Sequence, residues 1–388
     1  MNIRETDQLF VAGTYNRFPV VITKGKGSRV QDENGKEYID MGSGIGVTSF
    51  GILDDTWVSA VTEQLGKVQH MSNLYFTEPC ARLAALLCEK TGMKKVFFGN
   101  SGAEANECAI KVARKYGIDK YGADCNIIVT LNNSFHGRTL TTLSATGQDH
   151  YHGLFQPLTP GFMSIEPGDT ESIEALAKAH KIAGLLMECV QGEGGVLPIG
   201  EEKAKKMEAF CKENDILFMI DEVQTGNGRT GALYSYMNYS ITPDVVSTAK
   251  GLAGGLPMGA CLIGEKGEKV LGFGDHGSTF GGNPVCAAGA CSIIERIDDA
   301  LLLEVKAKSA YVFEALKDAP GITDVRGMGL MIGIKTEKPA GEIVNKCMEQ
   351  GVLCLTAKDR VRLLPALNIP FEDLKEAVET IKKVCQEA

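Results

Sequence analysis

Short apolar runs alternate with amphipathic segments between about residues 50 and 290. Runs rich in Val, Ile, Leu and Met are typical of strands buried on both faces, and the segments between them, such as residues 103–117 and 201–215, have helical periodicity. This alternation predicts an α/β fold with a mostly parallel central sheet covered by helices on both faces. The predicted strands are KVFFG (95–99), NIIVTL (126–131), AGLLMECV (183–190), ILFMID (216–221), VVSTA (245–249) and ACLIG (260–264).

The pattern changes on either side of this region. From about residue 293, charged amphipathic helices alternate with short strands, which predicts a smaller α+β domain. Near the start, SRVQDENGKEYIDM (28–41) predicts a hairpin with Asn34-Gly35 as a two-residue turn. We expect an N-terminal segment (1–48) that packs with the small domain, a large domain (49–292) and the small C-terminal domain (293–388).

Composition and charge narrow the class of protein. The 388 residues carry a net charge of −9, which argues against a nucleic-acid partner. The first ten residues, MNIRETDQLF, are too polar for a signal peptide, and no run approaches the roughly 20 apolar residues of a membrane span. The 12 cysteines are scattered without a CxxC pair. We therefore expect a cytoplasmic protein with reduced cysteines, no membrane partner and no metal site.

Ligands bind at the carboxyl ends of the strands in an open parallel sheet, and the first two strand ends carry candidate binding groups. GNSGAEANE (99–107) opens a helix with small residues, whose backbone N–H groups form an anion site. The alternative is an ordinary helix cap by Ser101. The next strand end places Phe135 near Arg138, an aromatic face beside a guanidinium that suits a carboxylate. The alternative for this pair is that Phe135 is a core residue and Arg138 is a surface residue.

Two further strand ends carry charge. The strand 216–221 ends on Asp221, and a carboxylate at the end of a buried strand needs a partner such as a cationic ring nitrogen or Mg²⁺. In DVVSTAKGLAGG (244–255), the strand delivers Lys250 into a glycine-rich loop. Burial lowers the pKa of a lysine amine and makes it a nucleophile; the alternative is a plain Lys–carboxylate pair.

Together these groups match the parts of pyridoxal 5'-phosphate. Its phosphate needs the helix start, its ring an aromatic face, its pyridinium nitrogen a carboxylate, and its aldehyde a lysine. A kinase of the P-loop type would need a GK[ST] loop, which the sequence lacks. A nicotinamide dehydrogenase would need GxGxxG after the first strand, and GSGIGV (42–47) does not fit that spacing.

The wording of the motifs resembles the class III, fold-type I pyridoxal-phosphate aminotransferases, and most closely their acetylornithine branch. The resemblance spans nearly the whole chain and implies the fold-type I transferase fold and a homodimer with shared active sites. The matching segments include NLYFTEP (73–79), SFHGRTLTTLSATGQ (134–148), QGEGGV (191–196), IDEVQTGNGRTG (220–231), HGSTFGGNP (276–284) and VRLLP (361–365).

The resemblance also implies a role for each residue. Lys250 would be the Schiff-base lysine and the proton carrier. The other implied cofactor contacts are Asp221 to the pyridinium nitrogen, Val223 and Phe135 to the ring faces, Gln224 to the ring hydroxyl, Ser101, Gly102 and Ala103 to the phosphate, and Thr279 to the phosphate of the neighbouring subunit. The implied substrate contacts are Ser278 and Arg138 to an acylated ornithine, Arg362 to the α-carboxylate of glutamate or 2-oxoglutarate, and Glu193 to Arg362 when no α-carboxylate is present.

The expected reaction moves the terminal amino group of N2-acetyl-L-ornithine to 2-oxoglutarate, giving N-acetylglutamate 5-semialdehyde and glutamate, in arginine biosynthesis. The alternatives are another class III ω-aminotransferase acting on ornithine, succinylornithine, 4-aminobutyrate or a carrier-bound lysine precursor, an amino-group mutase or racemase, and a non-enzymatic pyridoxal-phosphate-binding regulator. The segment GILDD (51–55) departs from the GHxHP-like segment usual in the family, which bears on the substrate entrance rather than on the cofactor.

Overall fold

The computed structural model describes residues 1–387. No helix within that range is long and apolar enough to cross a membrane. The helices are α1 (Ile3–Phe10), α2 (Ser43–Gly46), α3 (Asp55–Leu65), α4 (Glu78–Thr91), α5 (Gly102–Tyr121), α6 (Leu140–Ala145), α7 (Thr170–Ala179), α8 (Glu201–Glu213), α9 (Pro284–Ile294), α10 (Asp299–Leu316), α11 (Ala340–Glu349) and α12 (Phe371–Glu387). The strands are β1 (Ile22–Lys26), β2 (Arg29–Asp32), β3 (Glu37–Asp40), β4 (Lys95–Gly99), β5 (Ile127–Leu131), β6 (Phe162–Ile165), β7 (Ile182–Met187), β8 (Val190–Gln191), β9 (Leu197–Pro198), β10 (Leu217–Asp221), β11 (Val245–Thr248), β12 (Gly259–Ile263), β13 (Ile322–Met328), β14 (Met331–Thr336), β15 (Val352–Leu353), β16 (Leu355–Ala357) and β17 (Arg360–Leu363).

The central sheet has seven strands in the order β4-β12-β11-β10-β7-β5-β6. The pairs from β11 to β6 are parallel, and β12 is antiparallel to both of its neighbours. The predicted α/β fold with a mostly parallel sheet is confirmed. The sequence pattern missed β6 because this edge strand is only partly buried and lacks a continuous apolar run. It also did not reveal the direction of β12, which depends on its pairing partners.

Both faces of the sheet are buried, as the apolar strands predicted. Along β10, Phe218 and Ile220 belong to one hydrophobic core, whereas Leu217 and Met219 belong to another on the opposite face. Helices α4, α8 and α9 contribute to the first core, and α5 contributes to the second. Since successive side chains of a strand point to opposite faces, a strand buried on both sides needs apolar residues at every position.

Of the two four-stranded sheets, one combines strands from both ends of the chain. Strand β3 runs parallel to β15, with Ile39 opposite Val352, in a sheet ordered β1-β2-β3-β15. A second, antiparallel sheet has the order β13-β14-β17-β16. One core combines Ile39 and Met41 with apolar residues of the last third of the chain. The predicted domain boundaries at residues 48/49 and 292/293 stay a prediction.

The predicted hairpin is present between β2 and β3, but its two-residue turn is wrong. The connection spans residues 33–36 and is organised by Asp32, whose Oδ1 accepts the N–H groups of Asn34 at 2.9 Å and Lys36 at 3.0 Å. An aspartate that binds the following backbone N–H groups stabilises a longer loop than the Asn-Gly pair alone predicts.

Gly184 of β7 allows α5 to pack closely on the sheet. A Cβ at position 184 would lie 2.7 Å from Cε of Met219 and 2.9 Å from Cβ of Ala113. We expect Gly184→Ala to lower the free energy of unfolding of the cofactor-free protein by about 1–3 kcal/mol in urea titrations, because the core is overpacked. Gly341→Ala in α11 is the matched control, since nothing lies within 4 Å of its added Cβ. Equal losses in the two variants would contradict this explanation.

Candidate active site

The carboxyl ends of the parallel strands meet around one cavity of about 380 Å³. Residues that follow β4, β5, β7, β10 and β11 line it, as expected for an open parallel sheet. The predicted site residues that the structure brings together here are Ser101, Gly102, Ala103, Phe135, Glu193, Asp221, Val223, Gln224 and Lys250.

The start of α5 forms one wall of the cavity. Ser101 is the N-cap residue and its Oγ accepts the N–H of Glu104 at 3.2 Å, so the ordinary cap is present as well. The N–H groups of Gly102 and Ala103 belong to the first helical turn, where the helix has no carbonyl partners for them. A Cβ at Gly102 would lie 2.6 Å from Cγ1 of Val223, so only glycine allows this close approach. The wall combines free N–H donors with an apolar side chain.

Asp221 ends β10 and is held by three donors. Its Oδ2 is 2.8 Å from Nδ1 of His136 and accepts Nδ2 of Asn106 at 2.7 Å, while its Oδ1 accepts the N–H of Val223 at 2.9 Å. The Oγ of Ser247 donates to Oδ1 of Asn106 at 2.5 Å and so orients the amide. Asp221 is only 4% exposed, and this network fixes its carboxylate at the cavity.

The sequence interpretation left out His136 and Asn106 as site residues. Asn106 lies four residues after Gly102 on α5, and this spacing places both on the same face of the helix. His136 lies next to Phe135 on the loop after β5. Helical spacing from the predicted anion site was therefore the signal for Asn106, whereas the pairing of His136 with Asp221 needed the fold.

Lys250 follows β11 and reaches the floor of the cavity. Its φ of +46° lies in the left-handed region, which is strained for a lysine and redirects the chain into a short 3₁₀ turn. Burial lowers the pKa of its amine; Glu193 opposes this effect and Arg362 adds to it. Within residues 1–387, no carboxylate oxygen lies within 4.0 Å of this amine nitrogen, which is the distance limit for an ion pair. The alternative of a plain Lys–carboxylate pair does not describe this site.

Arg362 of β17 meets Glu193 at the cavity. Its Nη1 donates to Oε1 of Glu193 at 2.5 Å and to Oε1 of Gln224 at 3.1 Å. Nε2 of Gln224 donates to the same Glu193 oxygen at 3.3 Å. Burial raises the pKa of Glu193, but Arg362 outweighs it and holds the pKa below its usual value. Glu193 is thus a carboxylate paired with an arginine from the C-terminal sheet.

Glu188 is a cavity residue that the sequence interpretation did not select. It directly follows β7 and is 5% exposed. Its Oε1 accepts the N–H of Phe135 at 3.0 Å, and its Oε2 accepts the N–H of Gly192 at 3.1 Å. Burial raises the pKa of Glu188 to about 7, with His136 lowering it and Asp221 raising it further. A carboxylate at a parallel strand end was the available signal, the same one that identified Asp221.

Besides Arg362, which contacts the cavity residue Glu193, three predicted residues lie outside the cavity lining. Thr279 is exposed. Ser278 is bound to its surroundings, since its Oγ accepts Nδ2 of Asn100 at 3.1 Å and the N–H of Gly281 at 3.0 Å. The exposed Arg138 stacks 4.9 Å from the ring centre of Tyr151. The roles expected for these three residues stay predictions.

The unusual segment GILDD has a structural role in this chain. Asp54 caps α3 by accepting the N–H of Trp57 at 2.9 Å, and it binds Arg296 through two contacts of 2.7 and 3.0 Å. None of residues 51–55 lines the cavity. The expected effect of GILDD on the substrate entrance stays a prediction.

A nucleophilic lysine, a buried aspartate and a helix start around one cavity of a mostly parallel sheet define a pyridoxal-phosphate-dependent enzyme of fold type I. Residues 10–385 match the family model described as aminotransferase class-III, and the chain belongs to this family of transaminases. It is 45% identical over 387 residues to the acetylornithine aminotransferase of Haemophilus ducreyi strain 35000HP, a match that covers 99% of this chain and 98% of that protein.

Solved structures of aminotransferases have the same fold as this chain. A structure of the ornithine aminotransferase from Toxoplasma gondii with partial occupancy of pyridoxal phosphate at its active site has a TM-score of 0.93 and 30% identity, covering 99% of this chain and 94% of that one. The N-acetylornithine aminotransferase from Stenotrophomonas maltophilia K279a has a TM-score of 0.84 and 32% identity, and the match covers 98% of this chain and 97% of that one. The cofactor of this enzyme class is pyridoxal phosphate.

The burial of Lys250 predicts a pH-dependent stability. Its amine has a lowered pKa in the folded protein and an ordinary value of 10.5 in the unfolded chain. Between these values the unfolded chain binds more protons, so the amine costs the fold stability at pH 7 and less as pH rises toward 10.5. We expect cofactor-free Lys250→Met to be more stable than the wild type at pH 7 by about 1–3 kcal/mol.

Urea titrations of the cofactor-free proteins at pH 7 to 10 measure this difference, which we expect to shrink with rising pH. Lys181→Met is the control, because Lys181 is exposed and paired with Asp124 at 3.0 Å. A gain for Lys250→Met that stays constant across this pH range would contradict the lowered pKa.

Proposed function

We propose that this enzyme is an acetylornithine aminotransferase of arginine biosynthesis. It would move the terminal amino group of N2-acetyl-L-ornithine to 2-oxoglutarate and give N-acetylglutamate 5-semialdehyde and glutamate. The observation that carries this proposal is the ion pair between the buried Arg362 and the half-buried Glu193 beside Lys250. An arginine whose charge is matched by a neighbouring carboxylate suits an enzyme that must accept substrates both with and without a carboxylate near the reacting carbon.

The residues at the cavity fit the cofactor. When bound, pyridoxal phosphate supplies an aldehyde that captures amines and a ring that withdraws electrons. The N–H groups at the start of α5 suit its phosphate, and the close approach of Gly102 to Val223 leaves a flat apolar wall for its ring. We assign Lys250 to the aldehyde, Asp221 to the pyridinium nitrogen, Val223 and Phe135 to the two ring faces, Gln224 to the ring hydroxyl, and Ser101, Gly102 and Ala103 to the phosphate.

Lys250 would also move the proton in the reaction. Its Nζ, with a pKa lowered by burial, is suited to take the proton from the substrate carbon that bears the reacting amine and to return it. His136 and Asn106 both contact Oδ2 of Asp221, and this network holds the carboxyl group at the cavity, where the pyridinium nitrogen would be bound.

Glu193 and Arg362 would act as a switch between the two half-reactions. The acylated ornithine reacts at its terminal amine, so no carboxylate is near the reacting carbon, and Glu193 stays on Arg362 as in the structure. Glutamate reacts at its α-amine, and its α-carboxylate would replace Glu193 on Arg362. We assign the distant carboxylate of the acylated ornithine to Arg138, with Ser278 as a further substrate contact.

We propose a cytoplasmic homodimer with shared active sites, in which Thr279 contacts the phosphate bound by the neighbouring subunit. Support comes from apolar side chains near Thr279. Asn73 Nδ2 donates to the carbonyls of Ser278 at 3.1 Å and Gly281 at 2.9 Å, which brings the segments around residues 74–76 and 278–281 together. The exposed apolar residues of these segments are Leu74, Tyr75, Phe76 and Phe280. The 12 free cysteines fit a reducing compartment.

The alternative is a related ω-aminotransferase. The structural likeness to the ornithine aminotransferase of Toxoplasma gondii favours ornithine as the second candidate donor. Succinylornithine and 4-aminobutyrate are further candidates. The acyl group of an acylated ornithine lies far from the reacting carbon, and we do not expect the residues around Lys250 to contact this group.

A survey of amine donors tests the substrate. The holoenzyme is mixed with acetylornithine, ornithine, succinylornithine or 4-aminobutyrate, and the loss of the visible absorbance of the cofactor is followed by stopped flow. We expect acetylornithine to react with a specificity constant about 10-fold or more above the others, as pocket contacts of this kind discriminate. Lys250→Ala should show no such reaction. A clear preference for ornithine or 4-aminobutyrate would overturn the substrate assignment.

Glu193→Ala tests the switch. Without Glu193, the charge of Arg362 is unpaired in the half-reaction of the acylated ornithine, whereas glutamate supplies its own carboxylate. We expect the specificity constant for acetylornithine to fall by about 10- to 100-fold, the effect of one buried charged hydrogen bond, and that for glutamate to change much less. Glu201→Ala removes a surface ion pair with Lys205 and serves as the control. Equal losses for both substrates would refute the switch.

A further inference from the structure

Two loops carry the residues on which the switch and the ring contact depend. Residues 132–137 include Phe135, and residues 192–195 include Glu193. Neither segment belongs to a helix or a strand, so contacts from elsewhere must determine its position. A misplacement of an active-site group by about 1 Å lowers the reaction rate strongly. The residues that position these loops therefore affect catalysis.

Glu188 is bound to the backbone of both loops. Its Oε1 accepts the N–H of Phe135 at 3.0 Å, and its Oε2 accepts the N–H of Gly192, the residue before Glu193, at 3.1 Å. Glu188 itself directly follows β7, a central strand whose residues are all buried. Each carboxylate oxygen therefore ties one loop to the rigid sheet.

We propose that Glu188 is a positioning residue that holds the loop of Phe135 and the loop of Glu193 in register with the sheet, and thereby determines where Glu193 meets Arg362. This inference rests on the proposed function for the role of Glu193. The ring contact of Phe135 does not depend on which amine is the substrate.

Other contacts join the two loops but do not anchor them to β7. Nδ2 of Asn133 donates to the carbonyl of Gly194 at 2.8 Å, and Nε2 of Gln191, the β8 residue just before the second loop, donates to the carbonyl of Asn132 at 2.8 Å. A Cβ at Gly194 would lie 2.3 Å from Nδ2 of Asn133, so the loops are closely packed there. Loss of Glu188 should shift the two loops as a pair and leave the fold intact.

The chemistry of Glu188 supports a specific role. It faces His136, Asp221 and Lys250 around the cavity, and burial raises the pKa of its carboxyl to about 7. A buried carboxyl costs more free energy than an apolar side chain unless its oxygens are used. Two acceptor oxygens at the end of one side chain serve two N–H groups on different loops. Glutamine offers only one acceptor oxygen, so Glu188→Gln removes one of the two hydrogen bonds that tie the joined loops to the sheet, without leaving a cavity.

A double-mutant cycle on the holoenzyme tests the proposal. Stopped-flow half-reactions give the ratio of specificity constants for acetylornithine and glutamate in wild type, Glu188→Gln, Glu193→Ala and the double variant. We expect Glu188→Gln to change this ratio by about 10-fold in the wild-type background and by less than about 2-fold in the Glu193→Ala background, since residues that act through each other are not additive. An unchanged ratio, or equal changes in both backgrounds, would overturn the proposal.

Cofactor affinity is the second readout. Titration of the cofactor-free proteins with pyridoxal phosphate should show affinity about 3- to 10-fold lower for Glu188→Gln, in both backgrounds, because the Phe135 loop is independent of Glu193. Glu188→Asp, which is too short to reach both loops, provides a second variant if the glutamine variant does not fold. Wild-type affinity in the folded variants would overturn the positioning of Phe135.

Glu222→Gln is the matched control. Glu222 is an equally buried carboxyl after β10 that accepts Oγ of Ser235 at 2.6 Å, Oγ1 of Thr225 at 2.6 Å and the N–H of Tyr236 at 2.9 Å, and it does not line the cavity. We expect it to lower stability without changing the substrate ratio. The same ratio change in Glu222→Gln would show that Glu188 acts only through general stability.

Failure of the proposed function is distinguishable from failure of this inference. The wild type is measured first with all four amine donors. If another donor is preferred, the substrate assignment fails, and that donor replaces acetylornithine in the ratio. The cycle and the cofactor titration then still decide whether Glu188 positions the two loops.

Discussion

A lysine amine held inside the protein without an ion-pair partner is the constraint on which the site depends. Three carboxyl groups face Lys250, and each accepts hydrogen bonds from other residues: Asp221 from His136 and Asn106, Glu193 from Arg362, and Glu188 from the N–H groups of Phe135 and Gly192. Because no carboxylate forms an ion pair with the amine, its charged form is not stabilised, and burial lowers its pKa. The hydrogen-bond partners of the carboxylates are therefore as important for the reactivity of Lys250 as the position of Lys250 itself.

This arrangement requires the C-terminal sheet to dock on the large sheet. Arg362 comes from β17, whereas Glu193 follows the central strands, so their pair forms only when both regions are in place. Arg229 supports the docking, since its buried Nη1 donates to the carbonyls of Leu330 and Pro365. Arg229 is only 2% exposed, and this burial lowers its pKa to about 9.

The sequence alone was sufficient for the fold class and for several cavity residues that follow strand ends, but not for Glu188 or His136. A continuous apolar strand indicates that both of its faces are buried. Parallel strands place their carboxyl ends at one edge of the sheet, so Asp221 and Lys250 could be placed together before the fold was known. The edge strand β6 and the four-residue loop around Asp32 were not predictable in this way, because partial burial and side chain–backbone bonds leave no periodic pattern.

The sequence by itself determined which chemical groups the protein brings to its site: a lysine, carboxylates, a helix start and an aromatic residue, each recognisable from residue type and local context. Only the tertiary structure decided how these groups are paired. Hydrogen bonds between residues far apart in the chain, such as Asp221 with Asn106 or Glu188 with Phe135, depend on the distances between strands and loops. Those distances arise from packing, which no local pattern of residues encodes.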